Sequence, residues 1–317
     1  MVQTLYFLLK TARPRQWLKN ASLYAALVFS GFFFYDFPRY LLQVTGAFIA
    51  FTLVTSSIYI VNDIADRESD RKHPFKRKRP IASGELSIQT ALTAVVFCFL
   101  AALVFSWLLS PFLTLVMMGY VALQIAYSFY LKHIAILDVL SIAAGFMLRI
   151  YAGAVVVNLH MSVWFLLTVL SASLFIAVAK RQSERTLMSA NEAGFQTRKS
   201  LEKYSIRLLD IYTSMFANAT WLTYALFAFQ REDIVEQGSI PTLMQYIPRA
   251  FTAEKWLMLT VPLVIYIVMR YLQLVYESNK GESPERVLLQ DRPLLAAATV
   301  WALLVMVIIY LLDAVQI

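Results

Sequence analysis

A chain of 317 residues that is 59% hydrophobic and only 15% charged, with a mean hydropathy of +0.62, carries more apolar surface than a water-soluble domain of that size can bury. Composition therefore excludes a soluble globular protein and leaves a polytopic membrane protein. The single cysteine, Cys98, excludes an intrachain disulfide and a cysteine-built metal site, and the net charge of +8 is accounted for by membrane topology without any nucleic-acid partner.

Residues 2–12 read as an interfacial helix. The apolar run Leu5–Leu9 is closed by Lys10 and Arg13, and no small-residue cleavage site follows, so no removable signal peptide is expected. About nine apolar segments follow that are long enough to cross a bilayer at roughly 17–25 residues each: 16–35, 40–61, 89–109, 111–131, 134–157, 161–180, 208–229, 256–276 and 294–314. The third and fourth meet at Pro111. With the N-terminus inside, 23 of the 28 Lys and Arg fall on the inner side and four outside, with Arg149 within a span. That bias predicts a cytoplasmic-membrane protein with its N-terminus inside and its C-terminus outside. The fold class is all-α, with residues 1–317 as one membrane-embedded domain. Two long inner segments, 62–88 and 181–207, cap its working face. An outer segment, 230–255, contains Pro241 and Pro248 and carries no assigned chemistry. The four-span separation of the two inner segments hints at an internal duplication, although superposing them does not pair their charges.

On the second span Thr52, Ser56, Tyr59, Asp63, Asp66 and Asp70 recur at steps of 4, 3, 4, 3 and 4, drawing one polar face from mid-membrane to the inner surface. Asn62 borders it. The three carboxylates form a row of hard oxygen ligands suited to a Mg2+ ion that carries a diphosphate. Acids at a membrane edge are usually functional. For Thr52 and Ser56 the simpler reading is a bond to their own backbone or helix packing. Arg67, Arg71, Lys72, Lys76, Arg77, Lys78 and Arg79 follow or interleave. Among them Arg79 can grip a phosphate with a two-pronged fork and Lys76 as a point charge. His73 reads as a turn residue, because the residue before Pro74 avoids helical angles. From Arg79 to Gly84 the chain turns back toward the third span.

Span five carries Asp138, Ile142, Gly145 and Arg149 at steps of 4, 3 and 4. Opposite charges in lipid face a bundle interior or pair with each other. Asp138 is placed at the site, and Arg149 either joins it or snorkels outward. Tyr127 and Lys132 precede this span, while Lys180, Arg181 and Glu184 close span six and Arg292 opens span nine. Lys19 and Asn20 stand where span one enters, beside Trp17, which reads as an interfacial anchor. There is no glycine-rich phosphate loop, no His-Glu-x-x-His and no serine-triad signature.

The stretch Asn62-Asp63-x-x-Asp66-x-x-x-Asp70 resembles the UbiA superfamily of intramembrane prenyltransferases, as do Tyr127-x-x-x-Leu131-Lys132 and the long inner segments after spans two and six. The likeness covers nearly the whole chain. It implies a helical bundle around a central cavity that opens sideways to lipid, with a magnesium-bound diphosphate at the inner mouth. Most members carry a second aspartate-rich motif after span six, where this chain has Lys180-Arg181-Gln182-Ser183-Glu184, a departure that does not support a second magnesium site and better accommodates an additional anion. Arg13-Pro14-Arg15-Gln16-Trp17-Leu18-Lys19-Asn20, the run from Asp70 to Gly84, Leu131-Lys132-His133, Ala179-Lys180-Arg181 and Asp291-Arg292 are similar to the decaprenyl-phosphate phosphoribosyltransferase branch.

That resemblance implies Mg2+-dependent transfer of 5-phosphoribose from phosphoribosyl pyrophosphate to a polyprenyl phosphate, with release of diphosphate. Asp63, Asp66 and Asp70 would be the catalytic metal ligands. Lys19, Asn20, Tyr59, Asn62, Lys76, Arg79, Tyr127, Lys132, Asp138, Arg149, Lys180, Arg181, Glu184 and Arg292 would line the substrates. The alternative is transfer of a prenyl group from a prenyl diphosphate to an aromatic acceptor. A lipid carrier without enzymatic activity is a third reading, against which the absence of paired Gly/Pro interruptions in the spans counts.

Overall fold

The structure, a computed structural model, describes residues 2–72, 76–190, 201, 203–230, 255–277 and 284–312. Among these there is no strand. The expectations for His73 and for nearly all of 230–255 lie outside the described residues.

Helix α1 (Val2–Ala12) leads through Arg13 into a 3-10 stretch (Pro14–Ser22) and a short helix, α2 (Leu23–Ser30). The first expected span, 16–35, is therefore not one helix. Proline at the first position starts the stretch, and Gly31, at φ 86°, ends α2 in a left-handed cap. Helix α3 (Arg39–Ala65) ends at Asp66, after which α4 (Arg67–Lys72) resumes for a turn and a half. The helix expected to run straight through all three aspartates is thus broken at the middle one, whose backbone (φ −86°, ψ 2°) leaves the helical range. Helix α5 (Pro80–Ser83) is a single turn stopped by Gly84 at φ 86°. The division at Pro111 holds. Helix α6 (Ile88–Leu109) and α7 (Pro111–Phe129) are separated by an extended Ser110, and Ser87 caps α6 by accepting from the Thr90 amide.

Helices α8 (Leu137–Val156), α9 (Val163–Ala190), α10 (Ile206–Gln230), α11 (Val261–Glu277), α12 (Pro284–Gln290) and α13 (Arg292–Val307) complete the described elements. Helix α9 runs past Arg181 to Ala190, so the start of the expected 181–207 loop is helical. Seven helical stretches among the described residues are long and apolar enough to cross a membrane: those at Arg39–Ala65, Ile88–Leu109, Pro111–Phe129, Leu137–Val156, Val163–Thr186, Trp256–Glu277 and Arg292–Tyr310. The protein is a multi-pass membrane protein. Helix α10, 25 residues long, has the length of a span but carries Asp210, Thr213, Ser214, Asn218 and Thr220 along it. Among the described residues seven helices meet these criteria, so the expected count of nine is not confirmed.

The chain divides into two compact units. In the first (Met1–Lys132 with Ala144–His160), α3 packs on α6, α7 and α1. Its core is Leu23, Leu27, Val44, Phe51, Val54, Leu113 and Met117, joined by Ala152 and Val156 of α8. Lipid tails are as apolar as leucine, so close packing rather than escape from water holds such helices together. Gly153 shows how close that packing is. A Cβ there would lie 1.9 Å from the Leu23 carbonyl oxygen, so only glycine lets α8 meet the start of α2. In the second unit (His133–Ala143 with Met161–Ile317), α9 pairs with α10 and α11 with α13. Val139, Ala143, Leu174, Val178, Tyr204 and Leu209 are buried between the first pair and the start of α8.

Candidate active site

The first unit gathers two of the three aspartates. The carboxyls of Asp63 and Asp70 are 3% and 2% exposed, and both accept from the same nitrogen of Arg79, Nη1, at 3.0 and 2.7 Å. Arg13 donates from Nη2 to the same Oδ1 of Asp63 and lies over the Tyr59 ring at 5.0 Å. Local structure explains each placement. Arg13 sits between α1 and the 3-10 stretch at φ 56°, a left-handed conformation. Arg79 is the extended residue before α5, and Arg71 of α4 ties that turn down by donating to the Ala82 carbonyl at 3.1 Å. Asp66 is exposed at the α3–α4 break.

The polar row on α3 continues below this rim, and its partner is the 3-10 stretch. Trp17 donates its indole N–H to Ser56 Oγ at 3.1 Å, and Asn20 donates to Thr52 and Thr55, each at 3.2 Å. Thr52 and Ser56 thus do more than bond their own helix, and Trp17 is half-buried against α3 rather than a simple interfacial anchor. Arg149 lies at 5% exposure in this unit, which excludes snorkelling. It donates to Asn20 Oδ1 at 3.0 Å, to the Gly145 carbonyl at 3.0 Å and to the Tyr120 hydroxyl at 2.7 Å. Asn62 accepts from Ser128 at 3.4 Å. Lys76 is exposed, and Lys19, Tyr127 and Lys132 are half-buried.

In the second unit Arg181 is fully buried. Its Nε stands 2.9 Å from Asp138, itself 0% exposed, and its Nη1 pairs with Glu184. Tyr204 donates to Asp138 at 2.8 Å while its hydroxyl accepts from the Ile136 amide. Ile136 stands at φ 72°, a strained position for a β-branched residue, just before α8. Burial, together with the bond to Asp138, holds the Tyr204 hydroxyl above its ordinary pKa. Asp138, Arg181 and Glu184 are brought together as expected, but against one another. Lys180 is half-buried and Arg292 is exposed at the first turn of α13, whose cap is Asp291, in turn paired with Arg270 at 2.8 Å.

Sequence reasoning missed Arg13 as the partner of Asp63 and Tyr204 as the partner of Asp138. The first left a signal in the helix-breaking Arg13-Pro14 pair. The second left none, because the 66-residue separation of Tyr204 from Asp138 has no period to read.

Among the described residues no three metal-ligating side chains gather at one point: Asp63 and Asp70 form a buried pair, and Asp66 stands exposed beside them at the break between α3 and α4. The pair fits Mg2+ in its chemistry. Two carboxylates kept from water converge on a single cation, the Arg79 guanidinium, and both are hard oxygen donors.

A carboxylate pair withheld from water at the end of a membrane span, with guanidinium groups at its mouth, is the equipment of an intramembrane enzyme that handles an anionic group. Comparison with known proteins makes the class definite. The model of the UbiA prenyltransferase family matches residues 21–292. A decaprenyl-phosphate phosphoribosyltransferase of Mycolicibacterium smegmatis is 39% identical over 297 residues, covering 93% of this chain and 89% of that one. One of Corynebacterium glutamicum is 33% identical over 308 residues, covering 96% and 87%. Among solved structures, a UbiA homolog from Archaeoglobus fulgidus bound to GPP and Mg2+ superposes with a TM-score of 0.67 at 16% identity, over 96% of this chain and 99% of that one. The chain belongs to the UbiA prenyltransferase family and is a transferase.

Proposed function

We propose that the protein transfers 5-phosphoribose from phosphoribosyl pyrophosphate to a polyprenyl phosphate at the inner face of a cytoplasmic membrane, with its N-terminus inside and its C-terminus outside. The observation that carries this reading is the likeness to proteins named for that reaction, at 33–39% identity along almost the whole chain. The rim of the first unit supports it. Arg13 and Arg79 hold two buried carboxylates yet remain 32% and 28% exposed, so both can turn a fork toward an incoming diphosphate.

In this reading Asp63 and Asp70, with Asp66 beside them, hold Mg2+. When bound, the ion neutralises charge on the departing diphosphate oxygens. Arg79 and Arg13 move from the carboxylates to the diphosphate. The bond from the anomeric carbon to the diphosphate oxygen breaks, and a phosphate oxygen of the lipid bonds to that carbon. The lipid monoester is already ionised at neutral pH, so no general base is required, and none of the rim residues is a histidine. Lys19, Lys76 and Lys132 in the same unit are proposed to meet the remaining phosphates. Arg149 and Asn20 are bonded to each other and are not assigned to substrate, and neither are the mutually paired Asp138, Arg181 and Glu184.

The test offers purified protein labelled phosphoribosyl pyrophosphate with polyprenyl phosphate, and in parallel a labelled prenyl diphosphate with an aromatic acid. Lipid-soluble label from the sugar donor, lost on chelating Mg2+, is the expected result. Label transfer from the prenyl diphosphate alone would replace this reading with aromatic prenylation.

A further inference from the structure

We infer that Asn20 and Arg149 are positioning residues for the diphosphate site: they fix the register of the 13–20 stretch on α3, and through it the placement of Arg13 on Asp63. This rests on reading the Asp63 rim as the diphosphate site, but not on which group is transferred.

The stretch and the helix run alongside each other in opposite senses. Asn20 meets Thr52 and Thr55, Trp17 meets Ser56, and Arg13 meets Tyr59 and Asp63. The periods make this possible. A 3-10 helix repeats every three residues and rises about 2 Å per residue, so residues 13 to 20 span roughly 14 Å. On α3, residues 52 to 63 span roughly 16 Å at about 1.5 Å per residue. The rungs therefore stay in step over the whole length. A slip of one rung would bring Trp17 opposite the threonines and carry Arg13 off Asp63. The rim end cannot prevent such a slip, because Arg13 is half-exposed and its left-handed backbone is not a preferred conformation.

The deep end can prevent it. Asn20 is 1% exposed and uses both ends of its amide, the NH2 on the two threonines and the oxygen on Arg149. Arg149 divides its fork among Asn20, the Gly145 carbonyl and Tyr120, and stacks on the rings of Tyr120 and Phe146 at 4.7 and 5.4 Å. Among the described residues none of its hydrogen bonds goes to a carboxylate. A buried guanidinium without an anion is costly in a membrane protein, and structure alone would be served more cheaply by an apolar residue. One helical turn along α8, Gly153 meets the Leu23 backbone. Helix α8 thus holds the end of the stretch at two successive points, by the Arg149 fork and by close backbone approach.

The experiment measures binding of inorganic diphosphate with Mg2+ to the purified full chain. The variants are Arg149→Met, Arg149→Lys, Thr52→Val with Thr55→Val, Arg13→Ala, and Arg13→Ala with Arg149→Met. Arg149→Met and the double valine variant are expected to weaken binding roughly tenfold, about 1.4 kcal/mol. Arg149→Lys does not restore it, since an ammonium cannot reproduce the planar fork. In the Arg13→Ala background Arg149→Met adds nothing, because it acts through Arg13. Wild-type binding by Arg149→Met, full rescue by lysine, or additivity with Arg13→Ala would each overturn the inference. If Arg149→Met does not fold, the valine variant, which keeps the charge and its bond to Asn20, decides by the same criteria. A wild-type protein that fails the sugar-transfer assay yet binds diphosphate refutes the proposed substrate and leaves this test intact.

Discussion

Asp63 in the first unit and Asp138 in the second are both carboxylates held out of water by guanidinium groups, at 3% and 0% exposure, but their partners differ in reach. Arg13 and Arg79 stay in contact with the outside. Arg181 is 1% exposed and is engaged by Glu184 as well as Asp138. A cation that still touches water can exchange one anion for another at little cost, which frees its carboxylate for a metal. A fully buried pair cannot, because each ion would have to be desolvated again without its partner. Identical residue types thus make an exchangeable rim in one unit and a permanent brace in the other. Burial of the cation, rather than of the acid, separates them.

The largest expected effect breaks the brace. Arg181→Met strands Asp138 in an apolar setting and is expected to cost about 3–5 kcal/mol, seen as loss of folded protein in detergent. Asp138→Leu added to it restores the fold, since removing both ions removes the desolvation problem. If Arg181→Met folds normally and loses only activity, Arg181 belongs with the exchangeable cations after all. The rim behaves in the opposite way. Asp63→Asn keeps the volume and the Arg79 contact, so the fold persists, while transfer falls on the order of 10²–10³-fold. If the proposed metal site is right, omitting Mg2+ from the wild-type assay is expected to have the same effect and to add little to the variant.

The same distinction governs how much could be read without coordinates. Seven of the expected membrane spans and the break at Pro111 rest on composition and short periods, and they hold among the described residues. Span one fails because its first residues, Gln16 to Asn20, belong to a polar 3-10 stretch; the match of Arg13, Trp17 and Asn20 to Tyr59, Ser56 and Thr52 is visible only once both partners are in place. Asp66 falls out of the acidic row because α3 stops at Ala65. Arg181 reads from the sequence as one more phosphate cation, because a sequence shows charge and not burial, and Tyr204, distant in the chain, gives no hint of what covers Asp138.

Packing offers a sharper control within the first unit. Gly153→Ala places a methyl against the Leu23 backbone, where no side chain can move aside, and is expected to cost about 3 kcal/mol. Gly119→Ala on α7 meets nothing within 4 Å and is expected to be neutral or to stabilise by up to about 1 kcal/mol through helix propensity. Thermal unfolding in detergent distinguishes the two. Equal effects would mean that α8 does not approach α2 so closely.

The smallest effect tests the brace by pH. Tyr204→Phe removes the donor to Asp138 and the acceptor of the Ile136 amide, and is expected to cost roughly 1–2 kcal/mol at neutral pH. Burial first, then the bond to Asp138, raises the hydroxyl's pKa in the folded protein, so the neutral phenol is favoured in the fold while the unfolded chain ionises near pH 10. The stabilisation from Tyr204 is therefore complete below about pH 10 and declines as pH rises beyond it. The wild-type protein should lose stability above pH 10 more steeply than Tyr204→Phe, narrowing the gap between them. A gap that stays constant as pH rises past 10 would mean that the hydroxyl ionises in the fold as freely as in water, and that the second unit's cluster is as open as the rim of the first.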